Sequence, residues 1–228
     1  MSLLVQVSEL QFVTPEGKRI LEDVTLRVDH GELVFLVGPP SSGKSLILKL
    51  LSHELRPQRG QILVDDRNVT RLHENKLPAF RRRLGIVPQE LILPRRTVRD
   101  ALAFKLGSLG FSSEDSATLI EEILETVKLR AVADTLITEL DPPQQKLFAI
   151  ALAACHNPVL LLVDEPFGGL EHKDAQRVLE GIAAVHERKR VAMLVATRER
   201  GLAVRSGARV VYLWAGRTVD SAPPEKEL

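Results

Sequence analysis

The chain of 228 residues has one cysteine, Cys155, and only 4% aromatic residues. A single cysteine excludes an internal disulfide and is typical of a reducing compartment. No apolar run reaches the roughly 18 residues that a membrane span requires, so we expect no transmembrane segment. The opening residues MSLLVQVSEL lack the basic region and long apolar stretch of a signal peptide. These absences predict a cytoplasmic protein.

Neither sign of charge is in excess, since 31 lysines and arginines face 30 aspartates and glutamates. The net charge of +1 therefore gives no general attraction to nucleic acid. The basic run at 81–83 is interpreted as a solvated helix face. Hydrophobic residues make up 44% of the chain, enough for one large core, and predict a single domain over 1–228.

Hydrophobic periodicity predicts an α/β fold. The segments VQVSEL and VTLRVDHGE alternate like antiparallel strands, whereas ELVFLV, VLLLVDE, MLVAT and RVVYLW are continuous apolar runs typical of buried strands. RDALAFKL and SATLIEEILETVKL repeat apolar residues three and four apart, as helices do. We expect a core of 1–88 and 158–220, a helical insertion of about 89–157, and a loose tail of 221–228.

The segment GPPSSGKS fits the phosphate-loop pattern G-x-x-x-x-G-K-[ST], between a buried strand and a helix. Backbone N–H groups of such a loop bind phosphates, Lys44 reaches the β and γ phosphates, and the Ser45 hydroxyl is a magnesium ligand. The alternative is a glycine turn with a surface lysine. The pattern predicts a site for ATP and Mg²⁺ formed by Gly38, Pro39, Pro40, Ser41, Ser42, Gly43, Lys44, Ser45 and Leu46.

A phosphate loop needs an acidic partner at the end of a neighbouring strand. LLLVDEP supplies Asp164, which we expect to hold the magnesium ion. Glu165 beside it would act as the general base on the attacking water. The alternative is that both carboxylates only cap the end of the strand.

The phosphate loop, VPQE, LLLVDEP and GGLE together resemble the nucleotide-binding subunits of ABC transporters over nearly the whole chain. FLVGPPSSGKSLILKLL and LPAFRRRLGIVPQ are most similar to the cell-division ATPases of that family, with lipoprotein-export ATPases second. The resemblance implies a P-loop NTPase (RecA-like) core with an antiparallel β layer and a helical subdomain. It also implies an integral membrane partner, a homodimer or heterodimer of ATP-binding subunits, and a peripheral position on the cytoplasmic face of the membrane.

The resemblance also assigns roles to residues outside the phosphate loop. Gln89 of VPQE would contact the magnesium ion and link the site to the membrane partner, which would dock around 89–110. Phe12 would stack on adenine, although a core phenylalanine is the alternative. Residues 168–171 (GGLE) correspond to the loop that crosses to the second subunit.

The signature of the family, L-S-G-G-Q, is altered in this chain to Leu140-Asp141-Pro142-Pro143-Gln144. In the family, the serine hydroxyl and a glycine N–H hold the γ-phosphate of the opposite subunit. Proline has no N–H to donate, and the carboxylate of Asp141 repels a triphosphate. The segment instead predicts a capped helix start, with Asp141 as N-cap and Gln144 in a capping box. A variant signature that still closes on ATP is the alternative.

A second departure is Arg198, which stands where the family has a catalytic histidine. A guanidinium binds phosphate but stays charged, so it cannot carry a proton to or from the reaction. The alternative is that Arg198 is an exposed base without a role.

These features predict an ABC-type ATPase subunit that binds Mg-ATP and hydrolyses it slowly or not at all as a homodimer. A heterodimer partner with an intact signature would restore one active site, or ATP binding alone would drive a conformational signal. Two other functions stay open, namely a non-transport ABC ATPase acting on nucleic acid and a P-loop kinase acting on a small molecule. We expect no nucleic acid partner.

Overall fold

A computed structural model of the chain describes residues 2–219, 221 and 223. Most of the tail predicted to be loose therefore lies outside the described residues. The chain forms two compact units, one comprising Met1–Arg81 and Ala192–Leu228 and the other Arg82–Val191. Among the described residues, none of the helices combines the length and apolar character of a membrane span.

The strands of both units are numbered in chain order as β1 Leu3–Val13, β2 Arg19–Asp29, β3 Leu33–Val37, β4 Arg59–Val64, β5 Arg67–Asn68, β6 Leu84–Val87, β7 Leu160–Asp164, β8 Ala192–Thr197, β9 Arg209–Trp214 and β10 Arg217–Val219. The α-helices are α1 Lys44–Leu51, α2 Leu77–Arg81, α3 Val98–Ser108, α4 Ser113–Thr126, α5 Pro142–Ala154, α6 His172–Lys189 and α7 Arg200–Arg205.

In the first unit, the strands follow the order β5-β4-β1-β2-β10-β9-β3-β8. β1 pairs antiparallel with β2 and β4, which confirms the antiparallel layer predicted from alternation. β3 lies between β8 and β9 and is parallel to both. Every residue of β3 is buried, because a parallel strand at the centre of a sheet is covered on both faces. The fold class predicted from the sequence is confirmed.

The second unit contains β6 and β7, which are parallel, with Val87 opposite Val163. Strand β6 was not predicted from the sequence, because it has four residues and one of them is Gly85. A side chain could not be placed there, since a Cβ would clash with the Ala153 carbonyl oxygen in α5. The helices α3 to α6 and two short 3₁₀ helices, Arg130–Val132 and Ile137–Glu139, also belong to this unit.

The interpretation of the basic run as a solvated helix face is confirmed in its exposure, since Arg81 and Arg82 are exposed, and wrong in its helical conformation. α2 ends at Arg81, and Arg82 and Arg83 form a turn. The guanidinium of Arg81 donates from Nη2 to the His53 carbonyl at 2.9 Å and from Nε to the Ser52 carbonyl at 3.4 Å. These carbonyls follow the last turn of α1, where a positive charge is favourable.

Candidate functional site

The phosphate loop begins where β3 ends. Gly38 follows the last strand residue, and its N–H donates to the Thr197 carbonyl of β8 at 3.3 Å. A Cβ at Gly38 would lie 2.5 Å from the Leu213 carbonyl oxygen and 2.8 Å from Ser42 Oγ. The loop therefore needs glycine here to fold back over the end of the strand.

Lys44 lies inside this loop and is 5% exposed. Its Nζ donates to the carbonyls of Gly38 and Pro39, each at 2.9 Å. These bonds turn the ammonium back over the loop instead of toward bulk water. The alternative of a glycine turn with a surface lysine does not fit this arrangement, because the lysine is buried.

The hydroxyl of Ser42 is buried and has no hydrogen-bond partner among the described residues. A buried polar atom without a partner is uncommon and marks a place that a polar ligand can occupy. Oxygens of a phosphate group would satisfy it. This hydroxyl is consistent with the phosphate site predicted for the loop.

Helix α1 starts directly from the loop, with Gly43 as its N-cap at φ 103° and without a side-chain cap hydrogen bond. The conformation requires glycine, and a Cβ at Gly43 would in addition lie 2.7 Å from Leu21 Cδ2 and displace that side chain. The first turn of a helix has N–H groups without intrahelical partners, and its positive dipole end favours an anion. This start of α1 suits the phosphates of a nucleotide.

The position of Arg198 follows from the pairing of β3 with β8. Val37 lies opposite Thr197, so Arg198 and the phosphate loop follow the same ends of two adjacent strands. The Arg198 side chain is 55% exposed and its Nε lies 3.6 Å from Oε1 of Glu199. Arg198 and the phosphate loop therefore belong to the same unit and lie at the same end of its strands. The contact of Arg198 with phosphate stays a prediction.

Phe12 lies in β1 opposite Leu21 of β2, the residue whose side chain packs against Gly43. Its side chain is half-buried, so it is not a fully buried core residue. A partly exposed ring is compatible with the predicted stacking on adenine, which stays a prediction.

The carboxylates of the second unit stand at the end of β7. Asp164 is its last residue and Glu165 follows, 8% and 9% exposed respectively. Glu165 has a φ of 43°, a conformation that costs energy for a residue other than glycine. Its carbonyl accepts a hydrogen bond from the Gly168 N–H at 3.2 Å, which folds 168–171 back toward the strand end.

Gln89 is exposed and lies two residues beyond β6. Because β6 and β7 are adjacent and parallel, Gln89 and the two carboxylates follow the same edge of this strand pair. Lys146 of α5 reaches the same place, and its Nζ donates to the Gln89 carbonyl at 3.3 Å. No sequence motif indicated a role for Lys146.

The altered signature forms the start of α5, and the predicted capping box is confirmed. Asp141 Oδ1 accepts from the Gln144 N–H at 2.7 Å, and Gln144 Oε1 accepts from the Asp141 N–H at 3.0 Å. The Gln145 N–H donates to the Asp141 carbonyl at 2.9 Å. Since Pro142 and Pro143 have no N–H, this described turn leaves no backbone donor for an anion.

The charge of Asp141 also has a partner within the chain. Arg177 Nη1 of α6 lies 3.7 Å from Asp141 Oδ2 and 3.2 Å from Asp174 Oδ1. These side chains are about half exposed, so the ion pairs add little to stability. They do place two carboxylates around one guanidinium where the family signature would meet a phosphate.

Comparison with known proteins places the chain among relatives of one kind. Residues 21–168 match the family model described as ABC transporter. The cell division ATP-binding protein FtsE of Mycobacterium tuberculosis is 34% identical over 87% of this chain and 86% of its own length. FtsE of Bacillus subtilis is 27% identical over 93% of each chain. The solved dimeric, post-hydrolysis ATP-binding cassette MJ0796, bound to ADP and Pi, superimposes with a TM-score of 0.81 at 25% identity. It covers 97% of this chain and all of its own.

Proposed function

The chain belongs to the ABC transporter family, and we propose that it is the ATP-binding subunit of a membrane complex whose own signature cannot support hydrolysis. It binds Mg-ATP with its phosphate loop and does not turn it over as a homodimer. Its function is to signal its nucleotide-bound state to a membrane partner, or to form a heterodimer with a second ATP-binding subunit.

One observation supports this proposal most directly. Of two helix starts in this chain, one suits binding of an anion and the other does not. The start of α1 has a glycine N-cap, no side-chain cap and a buried serine hydroxyl without a partner. The start of α5 has two prolines and a closed capping box. Phosphate is favoured at the first and has no donor at the second.

Magnesium suits the oxygen atoms that the chain offers. Ser45 has a hydroxyl, Asp164 a carboxylate and Gln89 a side-chain amide, and Mg²⁺ prefers such hard ligands together with nucleotide phosphates. When bound, the ion would neutralise phosphate charge. Glu165 would orient and deprotonate water in any site that closes completely.

Loss of hydrolysis follows from what the signature no longer provides. Removing one preorganised donor to a developing charge lowers the rate roughly 10² to 10³-fold. The start of α5 has lost the glycine N–H groups and has gained a carboxylate. A partner subunit with an intact signature would complete the site formed by the phosphate loop of this chain, whereas α5 would leave the site of the partner degenerate.

The membrane partner would dock beside Gln89. Ile92 is 94% exposed and Phe104 on α3 is 62% exposed, and the Arg96 guanidinium lies 4.2 Å from the centre of the Phe104 ring. Exposed apolar side chains with a cationic neighbour favour a partner segment that is apolar with an acidic residue. Because two relatives are named cell division ATP-binding proteins, we propose the cell-division machinery, on the cytoplasmic face of the membrane, as the target.

The proposal is tested by expressing a tagged chain in its native host and identifying the membrane proteins that co-purify. We expect the double variant Ile92→Glu and Phe104→Glu to lose the membrane partner while it still binds ATP. Val204→Glu is the matched control, because Val204 is an exposed apolar residue of the other unit. Retention of the partner by the double variant would contradict docking at this surface.

A further inference from the structure

Lys146 lies one turn into α5, just beyond the capping box that closes the altered signature. Its stem is partly buried, and its Nζ donates to the Gln89 carbonyl at 3.3 Å. The bond joins two segments that are 57 residues apart in sequence. The loop after β6 is thereby connected to α5.

The ammonium group also lies within the electrostatic influence of the carboxylates that follow β7. Burial lowers the pKa of Lys146, and the negative charges of Glu165 and Asp164 act in the opposite direction. The parallel pairing of β6 and β7 explains this proximity, because Gln89 and both carboxylates follow one edge of the pair. The side chain of Lys146 therefore donates to the backbone of Gln89 and interacts electrostatically with both carboxylates.

We propose that Lys146 is a positioning residue that holds the Gln89 loop on α5 and acts as a resident counter-ion for Asp164 and Glu165. The counter-ion role rests on the proposed Mg-ATP function, whereas the positioning role rests on the geometry alone. A cation beside the acids makes them less dependent on a metal ion for charge compensation. It also opposes the approach of Mg²⁺, since like charges repel.

Two substitutions separate the contributions of Lys146. Lys146→Met keeps an unbranched apolar stem and removes both the donor and the charge. Lys146→Arg keeps both. Lys76→Met is the matched control, because Lys76 is an exposed lysine of the other unit.

The first measurement is amide hydrogen exchange of residues 89–92 in the nucleotide-free protein. Loss of one hydrogen bond corresponds to roughly two- to tenfold faster exchange through local opening. We expect this acceleration in Lys146→Met and not in Lys146→Arg or Lys76→Met. Unchanged exchange of 89–92 in Lys146→Met would overturn the positioning role.

The second measurement is calorimetric titration of Mg²⁺ into the ATP-saturated chain. We expect Lys146→Met to bind Mg²⁺ roughly three- to tenfold more tightly, the size expected for one unit charge across partly hydrated protein. Equal or weaker binding of Mg²⁺ by Lys146→Met would overturn the counter-ion role. If the unaltered chain bound no ATP, the proposed function would fail, and hydrogen exchange would still decide whether Lys146 holds the loop.

Discussion

Asp141 and Gln144 cap each other at the start of α5, each side chain accepting a hydrogen bond from the backbone N–H of the other. This reciprocal pair occupies the place where the family has serine and glutamine of the signature. The contacts that stabilise the start of the helix also occupy its backbone N–H donors, so these donors are not available to an anion. Stability and loss of the anion site therefore have a common cause.

The first prediction concerns the stability that this cap provides. Asp141→Ala removes the acceptor and is expected to lower the free energy of unfolding by about 0.5–2 kcal/mol. Asp141→Asn keeps the acceptor and removes the ion pair with Arg177, so it should stay near the unaltered chain. Urea denaturation of the three proteins checks this, and equal losses for both variants would assign the effect to the ion pair.

The second prediction concerns turnover. Restoring the family signature with Asp141→Ser, Pro142→Gly and Pro143→Gly together should raise phosphate release at least roughly tenfold, because backbone donors to the γ-phosphate return. Arg198 stays altered, so full activity is not expected. The same triple variant with Lys44→Ala is the blank, and no increase over it would show that the signature is not what limits hydrolysis.

The third prediction concerns the phosphate loop. Gly43→Ala forces a side chain into a φ of 103° and brings its Cβ to within 2.7 Å of Leu21. We expect a loss of about 1–3 kcal/mol in unfolding free energy together with weaker ATP binding. Gly107→Ala is the control, because nothing lies within 4 Å of a Cβ there. Unchanged ATP affinity in Gly43→Ala would contradict the role of this helix start.

The fourth prediction is a pH dependence of stability. Burial lowers the pKa of His156 from 6.5 to about 4, and the charge of Lys105 adds to the effect. Between these pH values the unfolded chain binds more protons than the folded chain, so the free energy of unfolding falls as the pH falls. The His156→Gln variant should show a shallower decline from pH 6.5 to pH 4 in urea titrations. His73→Gln, at an exposed histidine, should decline like the unaltered chain.

Much of the fold was predictable from the sequence because its signals are local. β3 is a continuous apolar run and β7 is one up to Asp164 at its end, and every residue in both is buried. The capping box was predictable from Asp141 and Gln144 at a spacing of three residues. Strand β6 was not, because four residues that include a glycine give no periodicity.

The features that were missed depend on contacts between distant segments. Lys146 meets the Gln89 carbonyl, and Arg81 meets the carbonyls of Ser52 and His53, neither of which a local pattern indicates. The strand, glycine turn and helix around residues 38–45 were predictable because the phosphate-loop pattern includes that context, whereas binding of phosphate stays a prediction. The roles of Phe12 and Arg198 stay predictions, since a nucleotide must be bound to test them.

The most direct test of the account is phosphate release from the purified chain with Mg-ATP, with ATP binding measured in parallel and Lys44→Ala as the blank. We predict ATP binding that Lys44→Ala weakens, and phosphate release no faster than that of Lys44→Ala. Release clearly faster than the blank would contradict the account, because a signature of Asp141, Pro142 and Pro143 would then support a closed and competent dimer.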